Sequence, residues 1–199
     1  MAIAPVYRTL PQLVLASASP RRAQLLQDMG LTFEVFIPQV DERTIVAPNH
    51  DLAQVLAQSK CRNAQATHPE SSDKLFLAAD TIVVLDGERL DKPTDAHEAK
   101  TYLRRLAGGI HEVYTGVALR CNSNEFVFQS LTRVLFSQLS EEEIDYYVTT
   151  FAPLDKAGAY GIQEWIGLVG IKQIEGSYTN VMGLPTEALH RALLSFVQR

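Results

Sequence analysis

The chain reads as an α/β fold with antiparallel hairpins mixed into its sheet, and three features of the sequence say so. Short apolar runs suited to buried strands alternate with stretches whose apolar residues recur at helical spacing. Turn residues such as Asp86-Gly87 follow strands closely enough to fold them back on themselves. No Gly-, Pro- or Ser-rich linker interrupts the 199 residues, so they are expected to form one domain or two lobes sharing a sheet.

Leu13 to Ala16 is a buried strand that empties into a helix. Ser19 serves as N-cap and Pro20 fits the first helical position, where a missing N–H costs nothing. Leu25, Leu26 and Met29 give the inner face of this helix, and Gly30 its stop. Phe33 to Ile37 reads as a short strand, and Pro38 to Asn49 as a loop carrying Asp41-Glu42. Asp51 is expected to cap a helix through about Ala66, with Leu52, Val55, Leu56 and Ser59 on one face. Leu75 to Ala79 reads as a strand ending at Asp80-Thr81; Ile82 to Leu85 follows, and Asp86-Gly87 turns it into Glu88 to Leu90. Pro93-Thr94-Asp95 opens a helix with Ala96, Ala99, Leu103 and Leu106 inward and Gly108-Gly109 behind it. His111 to Arg120 and Glu125 to Ser137 are long strands joined through Asn122-Ser123-Asn124. Ser140 and Glu143 make a capping box for a helix through Thr150, whose Ile144, Tyr147 and Val148 face inward. A Gly-rich connection from Asp155 to Gln163, a strand region at Ile166 to Ile174, a loop at Gly176 to Asn180 and a helix opened by Pro185 complete the chain.

Composition narrows the function classes. With 46% hydrophobic and 21% charged residues the chain is an ordinary globular sequence, and its formal net charge of −5 argues against a nonspecific nucleic-acid binder. Met1 to Gln12 has no apolar core of the kind a secretory signal needs, and no run is long enough to span a bilayer. Cys61 and Cys121 lie far apart in no metal-binding array and read as reduced thiols, which points to a cytoplasmic protein without membrane association.

Ser17-Ala18-Ser19-Pro20-Arg21-Arg22 combines a strand end, a helix N-terminus, two hydroxyls and two guanidiniums. Free backbone N–H groups and the positive helix end attract an oxyanion, and guanidinium forks grip phosphate oxygens in pairs. Taken alone, the segment fits an ordinary capped helix with two solvated arginines just as well. Asp80 is expected to present its carboxylate at a strand edge, where α/β folds place ligands, as a metal ligand or a base; a turn aspartate bonding backbone N–H groups fits too. Asp41-Glu42 offers a second carboxylate source of the kind oxygen-liganded Mg²⁺ uses, or a solvated loop. Lys60, Lys92 and Lys156 are candidates for charge neutralisation, each with solvated surface lysine as its alternative. Lys92 is the best aimed, because Pro93 stiffens its junction. His111 suits an acid–base or a structural role, and Tyr146, Tyr147 and Trp165 suit base stacking or core packing. The glycines at 108–109 and 158–161 allow turns or close backbone approach and match no Walker or dinucleotide fingerprint.

From about Leu13 to Phe196 the chain resembles the Maf family of nucleoside triphosphate pyrophosphatases, once described as septum-formation inhibitors. The resemblance rests on six motifs in family order: Ser17 to Arg22, Ala79-Asp80-Thr81, Lys92-Pro93, Gly108 to His111, Asp155 to Gln163, and Gly176-Ser177-Tyr178 through Val181 to Pro185. It implies an N-terminal extension of residues 1–12 and a single domain over 13–199, an elongated mixed sheet flanked by helices in two lobes with a central cleft. The implied reaction converts a nucleoside triphosphate to the monophosphate and pyrophosphate with a divalent cation, Mg²⁺, Mn²⁺ or Co²⁺. The family's catalytic aspartate falls on Asp80, its phosphate-handling residues on Ser17, Arg21, Arg22, Lys60 and Lys92, and an acidic metal-site residue on Glu42. Substrate choice is associated with the positions of Arg21, Thr81 and Gln163. A branch resembling a 7-methyl-GTP pyrophosphatase carries Trp after the motif's Pro; this chain has Arg21 there and looks like the dTTP and UTP branch. An amide at Gln163 suits a uracil or thymine edge, which presents both a donor and an acceptor. The expected partner is the nucleotide, and a homodimer stays open. The alternatives are a house-cleaning pyrophosphatase for non-standard nucleotides and a non-catalytic nucleotide-binding regulator of cell division.

Overall fold

The computed structural model describes residues 4–68 and 73–197. The first three residues of the expected extension 1–12, and residues 69–72 and 198–199 of the expected domain 13–199, lie outside them. The strands are β1 (Leu13–Leu15), β2 (Phe33–Val35), β3 (Leu75–Leu85), β4 (Glu88–Leu90), β5 (Ile110–Cys121), β6 (Asn124–Phe136) and β7 (Ile171–Glu175). The helices are α1 (Pro20–Asp28), α2 (Asn49–Thr67), α3 (Ala96–Leu106), α4 (Glu141–Phe151), α5 (Trp165–Gly170), α6 (Tyr178–Met182) and α7 (Thr186–Val197). Among the described residues the strands form one seven-stranded sheet in the order β2-β1-β3-β5-β6-β7, with β4 paired to β3. It is mixed: β1 runs parallel to β2 and β3, with Leu13 opposite Phe33 and Leu75, whereas β4 and β7 run antiparallel to β3 and β6.

The chain divides into two compact units, the first taking the described residues to Asp80, Thr115–Ser130 and the segment from Gly183 on, the second Thr81–Tyr114 and Leu131–Met182. In the first, Ala57, Cys61 and Ala64 of α2 pack with Val14, Phe76, Ala78 and Ala118. The small residues let the helix lie close to the sheet. A Cβ on Gly116 of β5 would fall 2.3 Å from the backbone nitrogen of Gln54. In the second, Val83, Leu90, Leu103, Val113, Phe136, Ile144, Tyr147 and Tyr160 share a core.

Local sequence signals account for most element ends. Ser19 caps α1 through the Arg22 N–H, Gly30 follows that helix at φ +77°, and Ser140 and Glu143 form the capping box of α4. Asp86 and Gly87 both adopt positive φ in the β3–β4 turn, as a tight hairpin needs.

Four expectations are corrected. Asp80 does not end a strand or sit at its edge; β3 runs unbroken for 11 residues, and Asp80 and Thr81 are its two positions that are not buried. An extended chain sends neighbouring side chains to opposite faces, so a polar pair can pass through without a turn. The helix α2 starts at Asn49 after Pro48, leaving Asp51 in its first turn instead of at the cap, and Ala53, Ala57, Cys61 and Ala64 complete a buried stripe that Val55 and Ser59 do not. Residues 166–174 are a helix followed by a strand, because the Gly161–Glu164 turn runs directly into α5 through Gly167 N–H to Glu164 O at 2.9 Å. The loop at Gly176 to Asn180 contains the start of the short helix α6.

Cys61 and Cys121 are both free, and burial pushes the Cys61 thiol pKa up to about 12, leaving it unreactive. No helix among the described residues is long and apolar enough to cross a membrane.

Candidate active site

In the first unit β1, fully buried, delivers the chain to Ser17, which is 8% exposed. The Ser17 hydroxyl accepts the Ser19 N–H at 3.2 Å and an Arg22 Nη1 hydrogen at 3.2 Å. Arg22 Nε donates to the carbonyl of Gly183 at 2.8 Å, so this guanidinium is fixed from two sides in the first turn of α1. Burial lowers the Arg22 pKa, the charges of Asp80 and Glu42 oppose that shift, and the neighbouring Arg21 adds to it. Asp80, Arg21 and Glu42 therefore all act electrostatically on Arg22.

Lys60 completes the group. Its Nζ, on a side chain 14% exposed, lies 2.8 Å from Glu42 Oε1 and 2.5 Å from Asp80 Oδ1. Glu42 reaches it from a one-turn 3₁₀ helix capped by Asp41, Lys60 from the middle of α2, and Asp80 from the middle of β3. Two carboxylates thus converge on a single cationic point. No cluster of three or more His, Cys, Asp or Glu among the described residues could hold a metal alone. The donor set fits a hard cation that takes one or two carboxylates and fills its remaining positions with water and phosphate oxygens.

The second unit holds the other predicted residues. Thr81 follows Asp80 in β3, and Lys92 is exposed in front of the buried Pro93. Gln163 is half-buried, and its Oε1 is a buried atom with no hydrogen-bond partner. Buried amide oxygens are almost always paired, which singles this one out alongside Gln129 Oε1. The segment around it is held firmly. The Tyr147 hydroxyl accepts the Gly161 N–H at 3.0 Å and donates to Glu164 Oε2. Lys156 Nζ pairs with Glu164 Oε1 at 3.0 Å and Asp155 Oδ1 at 2.7 Å. Tyr160 meets His111 Nε2 at 2.7 Å.

Residues 12–196 match the family described as Maf-like protein. The chain belongs to the Maf family. It is 46% identical over 190 residues to a protein of Symbiobacterium thermophilum named dTTP/UTP pyrophosphatase, covering 95% of this chain and 94% of that one. A protein of the same name from Bacillus cytotoxicus is 46% identical, covering 94% and 96%. Another, from Cytophaga hutchinsonii, is 45% identical, covering 89% and 80%.

Within this Maf chain the structure brings together Ser17, Arg21, Arg22, Glu42, Lys60 and Asp80, as one group in the first unit. It places Thr81, Lys92 and Gln163 in the second. Four residues with open readings are now assigned. Lys156 is buried between Asp155 and Glu164, so its charge is already matched. His111 is 1% exposed and burial pushes its pKa down to about 4, which keeps it neutral at physiological pH in a structural pairing. Tyr147 lies in the core, stacked on Phe151, whereas Tyr146 is half-exposed against Trp165. Sequence reasoning missed Glu164 altogether. Its one local signal is a carboxylate directly after the Gly-rich connection, where no charge is needed for the turn.

Proposed function

We propose that this Maf protein hydrolyses nucleoside triphosphates, dTTP and UTP foremost, to the monophosphate and pyrophosphate. The observation that carries the reading is the meeting of Glu42 and Asp80 on Lys60 beside the Ser17–Arg22 turn, in a chain 45% identical or more to proteins named for this activity. Such a group combines phosphate-binding cations with carboxylates able to take a proton.

The Ser17 hydroxyl, the first turn of α1, Arg21 and Arg22 bind triphosphate oxygens, and Lys60 and Lys92 offset the charge that grows on departing pyrophosphate. A water attacks the α-phosphorus, and the bond to the bridging oxygen toward the β-phosphorus breaks. Lys60 holds Asp80 Oδ1, so Asp80 Oδ2 is the oxygen assigned to take the water's proton. Glu42 would hold a divalent cation, Mg²⁺, Mn²⁺ or Co²⁺, with Asp80 as the second carboxylate where it serves as ligand instead of base, and the cation would neutralise phosphate charge and acidify water. Gln163 reads the base: its unpartnered Oε1 accepts the N3–H of uracil or thymine, and its amide donates to a ring carbonyl. Thr81 and Arg21 are the further positions assigned to substrate choice. Residues 13–199 are proposed to act as one catalytic domain.

A panel of common and modified nucleotides with Mg²⁺, Mn²⁺ or Co²⁺, resolving pyrophosphate from orthophosphate, tests the reaction. The reading requires pyrophosphate release and a preference for dTTP and UTP. Asp80→Asn should lose at least about a hundredfold in kcat while nucleotide binding persists, the range general-base removal gives. Full turnover in that variant would remove Asp80 from its role.

A further inference from the structure

The Tyr147 hydroxyl makes two hydrogen bonds across one turn of chain. It accepts from the Gly161 N–H at 3.0 Å and donates to the Glu164 carboxylate. Gly161 and Glu164 are themselves the ends of a turn closed by Glu164 N–H to Gly161 O at 3.0 Å. Gln163 lies inside that turn. Its side chain folds back over Gly161, with Nε2 only 2.9 Å from where a Gly161 Cβ would stand, and the Glu164 Cδ lies 2.7 Å from the same point. Lys156, 8% exposed, completes the arrangement from the other side of Glu164 at 3.0 Å. A single phenol at 0% exposure thus fixes both ends of the segment whose amide oxygen is buried and unpartnered.

Burial and the Glu164 carboxylate raise the Tyr147 pKa, so the hydroxyl stays a donor throughout the working pH range. Its ring is locked against Phe151 at 5.1 Å between centroids. A rigid donor–acceptor aimed at two fixed partners tolerates little movement.

We propose that Tyr147 is a specificity-determining positioning residue, which through Gly161 and Glu164 holds the Gln163 amide in the orientation that selects the nucleobase. This rests on the reading of Gln163 as the base-contacting residue. Tyr147 itself touches no substrate in this scheme. A purely structural Tyr147 would weaken the fold and lower activity on every nucleotide alike. A positioning Tyr147 changes the ratio between nucleotides, because a misplaced amide loses its hydrogen bonds to uracil and ceases to leave cytosine unpaired.

The test uses the full chain and compares kcat and KM for UTP and CTP in wild type, Tyr147→Phe, Gln163→Ala and the double variant. Tyr147→Phe should lower the UTP-to-CTP ratio of kcat/KM by about tenfold, mainly through the KM for UTP, the scale of a lost buried hydrogen bond. In the Gln163→Ala background the same change should leave the ratio where Gln163→Ala alone put it. If Tyr147→Phe does not fold, Glu164→Ala removes the acceptor and should reproduce the loss, and Glu164→Gln, which still accepts from the phenol, should restore most of it. An equal fall for both nucleotides, or a further fall in ratio in the double variant, overturns the proposal. A Gln163→Ala protein that keeps the wild-type ratio overturns the reading of Gln163 and this inference with it, whereas failure of Tyr147 alone leaves that reading standing.

Discussion

Lys60 bridges Glu42 and Asp80, the two carboxylates that would hold a divalent cation. At 2.8 and 2.5 Å from their oxygens, its ammonium offsets both negative charges. Lys60 and a cation held by the same pair would therefore compete. Lys60→Met should remove that internal cation and strengthen Mn²⁺ binding in the absence of nucleotide by about tenfold or more, as a unit charge a few ångströms away implies. Titration of Mn²⁺ by electron paramagnetic resonance reads this directly. Unchanged or weaker Mn²⁺ binding would show that the two carboxylates do not act together on a cation. None of this convergence could be read from residue types, since Glu42, Lys60 and Asp80 come from a loop, a helix and a strand that only packing brings together. Arg22 is the opposite case: its place in a capped first turn follows from Ser19 and Pro20 alone.

The elements whose ends carry side-chain caps or obligatory turn residues were the legible ones. Ser19, Asp95 and Ser140 each accept a backbone N–H at the start of α1, α3 and α4, and such signals are local by nature. The start of α2 was misread because Pro48 stands there with no side-chain cap. The helix α5 was misread because six residues are too few to show a period, and a close local fold decides: a Cβ on Gly167 would lie 1.7 Å from the Ile162 carbonyl oxygen, five residues back. Gly116 shows the same kind of constraint inside a strand. An alanine there meets Ala53 and Gln54 backbone at 2.3 to 2.4 Å, which no side-chain rotation relieves. Gly116→Ala should cost about 3 kcal/mol by urea unfolding, at the upper end of overpacking effects. Gly109→Ala is the control, because its Cβ would stand an ordinary 3.5 Å from the Leu106 carbonyl. A similar small loss in both variants would mean that α2 and β5 can separate freely at this point.

Over the whole molecule, acid should act on the two units at different pH. His111 in the second unit has its pKa pushed down by burial from 6.5 to about 4, so between those values the unfolded chain binds more protons than the folded one. Stability from this group is complete above pH 6.5 and lost as pH falls to about 4, amounting to about 3 kcal/mol. Glu125 in the first unit is held down to about 2 by the Arg62 hydrogen bond, with Gln58 and Arg120 assisting, so its contribution persists above 4.5 and fades only toward pH 2. Thermal unfolding followed from pH 7 to 4 should steepen with His111 present and flatten in His111→Phe. An unchanged slope in that variant would assign the loss elsewhere.

Arg22 takes its orientation from the Gly183 carbonyl, 161 residues further along the chain. Ser17 lies five residues before Arg22 and supplies one acceptor for its guanidinium, whereas the Nε acceptor is made only when the ribosome reaches Gly183. The first unit is assembled from three separate stretches, so the usual order, in which N-terminal parts finish folding first, does not hold for it. Nascent chains stopped before Gly183 should therefore keep the Ser17 contact of Arg22 and lack the one that fixes its Nε side.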